Sequence, residues 1–521
     1  MGASSIHEGG TVGDLIADAI QRYPDRIAFI ADGKEISYRT LGERISQAIQ
    51  LFDSLGLRPG DAVAQLSGNR PDLFCMVAAA YIGGLRSVTL HAAASASDHA
   101  HILRDSGAKL LVAEDYHAGT VAALKAEIGD GIAWFSHDDT AGLRSLWHEA
   151  EQFRPAPLLV RSTPSGVIRL AYTGGTTGRS KGVMLTNRSL LTNTMSWLAA
   201  FPWPDADRFL CVAPMSHGAG SMLLPVLLRG GTTVLHRGFD AGRFVEAIHE
   251  HGIGTTWLVP TMLYAFLDHP DAQKADLSSL HTVVYSAAPA APTRIAQAVE
   301  LLGPKLVQAY GQTEAPNTIL ILNHHDHRDA PPGRFQSAGR PSPGIDVALL
   351  DDDCQPVASG EVGEVCVRGP LVMDGYWNQP EQTAEALRGG WLHTGDMAYR
   401  DEDGFIFIVD RKKDMVITGG FNVYPREVED VLATHPDVAA AAVFGVPDDK
   451  WGEAVTAVVV PRPGRTIAVA DLMTLVRTSK GPVHTPKILQ IVDALPLTPL
   501  GKPDKKALRQ RFASGGAPPV T

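Results

Sequence analysis

The chain has 521 residues, is 45% hydrophobic and 20% charged, and carries a net charge of −11 with no long basic run. These values suit a globular protein with large cores. They exclude broad electrostatic binding to nucleic acid or to an anionic membrane, so an anionic ligand needs a local site that works against the overall field.

At a usual ~150 residues per domain, the length allows about three domains. The N-terminus has no basic n-region and no apolar h-region, and Ile6 stands where a myristoylation signal wants Ser or Thr. No apolar stretch approaches the ~18 residues of a spanning helix. We therefore expect a cytoplasmic protein with no integral membrane contact. The four cysteines, Cys75, Cys211, Cys354 and Cys366, lack C-x-x-C spacing, which points to free thiols rather than a zinc site or a redox dithiol.

Residues 11–55 read as helix, hairpin, helix, with Thr11 as a helix cap and Asp32-Gly33 as the hairpin turn. Short strands and helices then alternate: strand 62–66, helix 73–82, strand 85–89, helix 96–104 and strand 110–113. The pattern returns after residue 186, with strands near 208–212, 232–235, 255–258 and 282–285. Such alternation predicts α/β layers with parallel strands. No fixed repeat period is present. From residue 334, Gly and Pro become frequent and short strands appear at 347–350 and 363–368, which predicts a β-rich subdomain. After the charged run Asp410-Arg411-Lys412-Lys413-Asp414 comes a compact α+β unit, with helices at 426–433 and 469–478 and strands at 438–445, 455–460 and 488–492. The predicted division is 1–409 for a large N-terminal domain, 410–413 for a hinge, 414–512 for a small C-terminal domain and 513–521 for a frayed tail.

Several segments carry chemistry. Tyr172-Thr173-Gly174-Gly175-Thr176-Thr177-Gly178-Arg179-Ser180-Lys181-Gly182 lies between two short apolar strands, 167–171 and 183–185. Glycines let successive N–H groups face a phosphate, threonines add hydroxyl donors, and Lys181 adds charge. The spacing is not that of a Walker A loop. Downstream stand Tyr310-Gly311-Gln312-Thr313-Glu314, Trp391-Leu392-His393-Thr394-Gly395-Asp396, and Pro496-Leu497-Thr498-Pro499-Leu500-Gly501-Lys502-Pro503-Asp504. A carboxylate such as Glu314 suits a hard cation on phosphate oxygens. A carboxylate such as Asp396 can accept from two ribose hydroxyls at once.

Together these segments resemble the adenylate-forming superfamily, which holds acyl-CoA synthetases, luciferase and the adenylation domains of peptide synthetases. The likeness runs from about residue 11 to 512 and is nearest to the bacterial fatty-acyl-CoA-ligase-like branch. It implies an AMP-forming acid–thiol ligase that uses ATP, Mg²⁺ and CoA. By that likeness, Thr173 and Gly174–Gly178 with Lys181 hold phosphates, Tyr310 stacks on adenine, Thr313 touches the α-phosphate, and Glu314 holds the metal. Asp396 and Arg411 bind ribose, Lys413 is the hinge position, and Lys502 is the catalytic lysine. Gly419 and Gly420, in Thr418-Gly419-Gly420-Phe421, match the turn that walls the pantetheine tunnel, and Trp451 matches a tryptophan beside CoA. His217, in Met215-Ser216-His217-Gly218, matches the residue that abuts the carboxylate.

The sequence departs from the family in places. Gly174 stands where Ser is common, Ser180 and Pro503 replace Pro and Ile or Val, and Val483-His484 replace an aromatic residue and a lysine. Tyr285-Ser286-Ala287-Ala288-Pro289 resembles an S-G-G-A-P strand end with Ser286 and Ala287 in place of two glycines. Their added Cβ atoms are expected to narrow the floor of the acid pocket beside Ala288. The acid itself is left open among fatty, alicyclic and aromatic types, and the oligomeric state is not legible. Two alternatives remain at this stage: an enzyme that loads a carrier-protein thiol, and a non-enzymatic acid- or AMP-binding protein. The second should lack a charged catalytic group, yet Lys181, Glu314, Asp396, Arg411 and Lys502 are all present.

Overall fold

The computed structural model describes residues 10–92, 94–138, 142–173, 180–328, 330–331, 333–448, 450–497 and 503–513. Thr11 caps the helix Val12–Arg22 in a reciprocal box with Asp14. Asp32 and Gly33, both at positive φ, turn strand Ile27–Ala31 into Lys34–Ser37. Ser37 then caps the helix Tyr38–Ser54. The opening therefore folds as its local signals dictate.

Two sheets build the bulk of the chain. In one, Ile27–Ala31, Thr232–Leu235, Arg208–Cys211, Thr255–Leu258, Thr282–Ser286 and Leu306–Gln312 run parallel to their neighbours. Antiparallel Ala315–Leu322 then continues it. In the other, Ala133–Ser136, Ala108–Ala113, Ala62–Leu66, Arg86–Thr89 and Val167–Thr173 are parallel, and Lys181–Thr186 closes the edge antiparallel. Ala62–Leu66 and Thr255–Leu258 are buried along their whole length, as expected of strands covered on both faces. The two threonines of the second strand are paired: Thr255 Oγ1 donates to Asp207 at 2.6 Å and Thr256 Oγ1 to the Leu210 carbonyl at 3.0 Å.

The β-rich part is a four-stranded antiparallel sheet, Asp346–Leu350, Gly363–Arg368, Leu392–Arg400 and Ile406–Arg411. One hydrophobic cluster joins all three sheets through Val183 and Leu185, Ala315 and Ile319, and Val365, Leu392 and Ile406. The last unit has its own sheet, built on the hairpin Val438–Asp448 and Gly452–Pro461, and its own core around Val428, Val443, Val455 and Leu472. Arg411 is the last residue of the third sheet and Val416 opens the fourth, with a single turn, Lys412–Asp414, between them. The helix Pro425–Ala433 docks back on this junction: Asp410 Oδ2 accepts from the Arg426 N–H at 2.8 Å.

No described helix is long and apolar enough to cross a membrane. All four cysteines are free; Cys75, Cys211 and Cys366 are buried, whereas Cys354 is half-buried.

Candidate active site

Three sheets meet at the turn between Leu306–Gln312 and Ala315–Leu322. Gly311 is required there, because a Cβ would lie 2.5 Å from the Asn317 backbone nitrogen. Tyr310, at the end of the first strand, donates its hydroxyl to Asp396 Oδ2 at 2.6 Å. Arg411 Nε meets the other oxygen, Oδ1, at 2.6 Å, and the two residues are register partners on adjacent strands. Asp396 is only 4% exposed, and its N–H donates to Thr394 Oγ1. Burial raises the Tyr310 pKa well above its ordinary value, and the Asp396 charge adds to the effect. The phenol therefore stays protonated as a donor.

Glu314 closes the same turn. Its Oε1 accepts from the Tyr376 hydroxyl at 2.8 Å, and its backbone carbonyl accepts from the Met373 N–H. Lys181 Nζ lies 5.0 Å from the centre of the Tyr376 ring. Thr173 and Lys181 are direct partners at the mouth of the phosphate-loop hairpin. Glycines 174, 175 and 178 and Thr176 and Thr177 lie outside the described residues, as does Lys502. Leu497 bridges Pro503, and the Asp504 N–H donates to the Pro496 carbonyl at 2.8 Å. Thr313 sits in the turn before Glu314.

Lys413 lies in the turn between the third and fourth sheets; burial lowers its pKa from the usual lysine value. Its neighbour Lys412 reaches Asp352 at 2.5 Å and Glu364 at 3.3 Å. Glu364 also meets Arg388, His393 and the Gly395 N–H, so it anchors the third sheet beneath the turn. Burial opposes its ionisation, but His393, Gly395 and Lys412 hold its pKa below the usual value. Glu364, Cys366 and His393 converge closely enough to suggest metal ligands. However, Arg388 and Lys412 already supply positive charge there.

In the fourth sheet, Gly419 and Gly420 form the turn between Val416–Thr418 and Phe421–Val423, at φ +58° and +81°. The Gly419 N–H donates to the Trp451 carbonyl at 2.7 Å, and a Cβ on Gly419 would lie 3.0 Å from the indole. Lys450 and Lys487 place their ammonium groups 4.9 and 5.4 Å from the Trp451 ring centre.

A cavity of about 110 Å³ opens between the two large sheets and beneath the N-terminal helix. His217 stands in its wall with Ser216, and Pro316 and Asn317, just past Glu314, line it too. The His217 ring is reachable through the cavity yet surrounded by protein. Burial lowers its pKa to about 4, with His91 and Arg169 adding in the same direction, so it is neutral at pH 7. Its Nδ1 is 2.8 Å from Ser216 Oγ, and the His91 ring packs edge-on at 4.9 Å. Ser286, Ala287 and Ala288 do not line this cavity. Ser286 Oγ instead donates to the Ala309 carbonyl at 2.7 Å, and Ala287 takes up the left-handed backbone, φ +72°, that glycine would adopt without strain. The expected narrowing of the pocket floor thus does not apply to this cavity.

Sequence reasoning missed Tyr376, His91, Arg169 and Lys487. Tyr376 follows the turn at Gly375 with no motif around it, and its role appears only when the third sheet packs against Lys181–Thr186. Its N-terminal neighbourhood, Asp374-Gly375-Tyr376-Trp377, held the one available signal: two aromatic residues after a turn glycine.

The AMP-binding enzyme family profile matches residues 16–377, and that of the AMP-binding enzyme C-terminal domain matches 427–502. The chain is 43% identical over 525 residues to the medium/long-chain-fatty-acid–CoA ligase FadD8 of Mycobacterium tuberculosis, covering 96% of this chain and 90% of that one. It is 39% identical to a feruloyl-CoA synthase of Amycolatopsis over 94% of this chain and 96% of the relative. Among solved structures, the amide bond synthetase McbA of Marinactinospora thermotolerans superposes with a TM-score of 0.89 at 34% identity, covering 96% and 99% of the two chains.

Proposed function

The chain belongs to the AMP-binding enzyme family and is an ATP-dependent carboxylic acid–CoA ligase, and we propose that it carries out both half-reactions with the residues described above. In the first, a carboxylate oxygen of the acid attacks the α-phosphorus of ATP, and the bond to pyrophosphate breaks. In the second, the CoA thiolate adds to the acyl carbon of acyl-AMP, and AMP leaves. No protein nucleophile takes part, so the side chains act by position and charge.

Tyr310 presents its ring to adenine while its hydroxyl fixes Asp396. Asp396 keeps spare lone pairs for the ribose hydroxyls, and Arg411 holds its charge in place. Thr173, Lys181 and the loop between them take the phosphates, and Thr313 takes the α-phosphate. Lys502 offsets the repulsion between carboxylate and ATP and follows the charge onto pyrophosphate. His217, neutral and held by Ser216, offers a hydrogen bond to the acid without adding a charge. Glu314 fits Mg²⁺, because a hard carboxylate oxygen remains beside the one that Tyr376 occupies; the ion would neutralise phosphate charge.

CoA is the acceptor favoured by the Gly419–Gly420 turn and by Lys450 and Lys487, whose charges suit its phosphates. Residues 414–512 turn about Lys413 between the two half-reactions. The apolar walls of the His217 cavity favour a fatty, alicyclic or aromatic acid, in keeping with the names of the relatives.

The observation that carries this reading is the convergence of Tyr310, Asp396 and Arg411 with Lys181 and Glu314 at the junction of three sheets. The test is release of pyrophosphate and AMP across a panel of acids, with CoA or a phosphopantetheinylated carrier protein as acceptor. EDTA should stop the reaction and Mg²⁺ restore it. Thioester on the carrier but none on CoA would replace the acceptor, and pyrophosphate release independent of any acid would overturn the reading.

A further inference from the structure

Both arms of the phosphate-loop hairpin are tied to one helix. Thr173 and Lys181 form the last register pair of that hairpin, so Tyr172 and Ser180 stand beside its mouth, one on each arm. Tyr172 donates its hydroxyl to Asp105 Oδ2 at 2.6 Å. Burial raises the Tyr172 pKa and Asp105 adds to the rise, so the phenol stays protonated as a donor. The Ser180 carbonyl lies 3.1 Å from His101 Nε2. A carbonyl only accepts, so the imidazole proton sits on that nitrogen. His101 and Asp105 are four residues apart on helix Ala96–Ser106, which puts them one above the other on one face. Ser95 caps the start of the helix, and Ala100, Ile102 and Leu103 bury another face of it.

The same helix end also holds the segment behind Lys181. The Asp105 carbonyl is among the last of the helix, which have no partner within it, and it accepts from the Trp377 indole N–H at 2.9 Å. The Trp377 backbone N–H donates to the Gly182 carbonyl at 2.7 Å, and a Cβ on Gly182 would lie 3.0 Å from the Tyr172 ring. Tyr376, one residue earlier, meets Glu314 and Lys181.

We propose that His101 and Asp105 are positioning residues for the first half-reaction: they fix the two arms of the phosphate loop in the pose that receives ATP. A glycine-rich segment loses more conformational freedom on ordering than any other. With its arms loose, the competent pose is populated for only a fraction of the time, and the apparent affinity for ATP falls by that fraction. The two ties engage a side-chain hydroxyl and a carbonyl, not the N–H groups that the phosphates need. The proposal rests on the reading of this loop as the phosphate site. The opposing view makes the two residues ordinary supports of the fold.

The test measures both half-reactions in the full-length enzyme. Pyrophosphate release is titrated with ATP and with the acid, and thioester formation is followed from presynthesised acyl-AMP and CoA. His101→Ala should raise the KM for ATP about 3- to 10-fold and Asp105→Ala about 10- to 100-fold, the scales of a neutral and a charge-assisted hydrogen bond. The kcat at saturating ATP, the KM for the acid and thioester formation should stay near normal, because bound ATP restores the pose. His101→Gln keeps an N–H donor and Asp105→Asn keeps an acceptor, so both should recover most of the loss. Tyr172→Phe breaks the Asp105 tie from the other side, should raise the KM for ATP likewise, and decides the matter if Asp105→Ala does not fold. Equal falls in both half-reactions, the mark of a mere support, would overturn the proposal, as would failure of the Gln and Asn variants to recover the loss. Lys181→Ala separates the two readings. An unchanged KM for ATP there would sink the loop as the phosphate site, and this proposal with it. A raised KM there, with Asp105→Ala and Tyr172→Phe unchanged, would sink this proposal alone.

Discussion

The groups proposed to hold the nucleotide and to admit the thiol are built in opposite ways. Asp396 is 4% exposed and held by two 2.6 Å contacts, from Tyr310 and Arg411, on strands of two different sheets. The Gly419–Gly420 turn has no such frame. Phe421 beside it is 61% exposed, Ile417 52% and Trp451 38%, and a Cβ on Gly420 would meet nothing within 4 Å. A site that must hold one ligand in one pose is worth fixing in advance. A surface that completes a tunnel only after a domain turns must be left open, with its apolar residues waiting for the other wall. The exposed Ile417, Phe421 and Trp451 fit the proposal that residues 414–512 dock in more than one way.

The strongest way to break this contrast is to damage each side and ask which half-reaction suffers. Lys502→Ala should slow adenylate formation by about 10²–10³, the usual scale for a lost transition-state donor. Thioester formation from presynthesised acyl-AMP should be nearly normal. Gly420→Leu should do the reverse: acid-dependent pyrophosphate release in a single turnover survives, and acyl-CoA formation is lost. The open space around Gly420 lets the leucine fold in place, at a backbone cost of roughly 1–2 kcal/mol for its left-handed φ. Rapid-quench measurement of both products decides each case. Normal acyl-CoA output from Gly420→Leu would place the CoA entrance elsewhere.

A second test sharpens the contrast on the nucleotide side. Asp396→Asn removes the buried carboxylate charge that Arg411 Nε meets. We expect the KM for ATP to rise about 10- to 100-fold, as for loss of one or two charge-assisted hydrogen bonds, with a smaller change in kcat. Titration of ATP in the pyrophosphate assay measures it. An unchanged KM would mean that Asp396 serves the junction between Leu392–Arg400 and Ile406–Arg411 rather than the ribose.

The two sides also differed in how far the sequence foretold them. Elements with local causes were legible: the capped helix at Thr11, the Asp32-Gly33 hairpin, and strand Ala62–Leu66 with its unbroken apolar face. So was the grouping of Asp396 with Arg411, because the motifs that hold them lie on adjacent antiparallel strands. What escaped notice depends on packing between distant segments. Tyr376 joins Lys181 to Glu314 only because Val183 pairs with Tyr376 across 193 residues of chain, and no short window contains that fact. Arg169 precedes the phosphate loop as one more charged residue in a strand; its place in the wall of the His217 cavity comes from Ser87 and Leu185 on either side. Ser286 is a similar case. Its hydroxyl has a partner, the Ala309 carbonyl on the next strand, that a motif comparison does not supply.

The smallest expected effect concerns acid and separates the framework from its open edge. Burial lowers the pKa of His217, His324 and His327 to about 4 and that of His137 to about 3, from an ordinary 6.5. All four belong to the large N-terminal part and none to residues 414–512. In the folded chain they stay neutral at pH values where the unfolded chain takes up protons. Unfolding therefore binds protons between about pH 6.5 and 4, and the stability of the large part must fall as pH falls through that window. Above pH 7 both states hold these rings neutral, and their contribution is constant. In the last unit, burial acts on carboxylates instead: it raises the pKa of Glu429, against the pull of Lys505, and that of Asp430, against the pull of Arg426. A raised carboxylate pKa means that the folded state gains protons first, which opposes acid destabilisation. Calorimetric scans at steps from pH 7 to pH 4.5 should show the large part losing melting temperature steadily while the small unit loses less. His137→Phe, which removes the most depressed of the four, should flatten the slope for the large part. Parallel loss in both parts, or an unchanged slope in His137→Phe, would show that these rings do not set the acid limit.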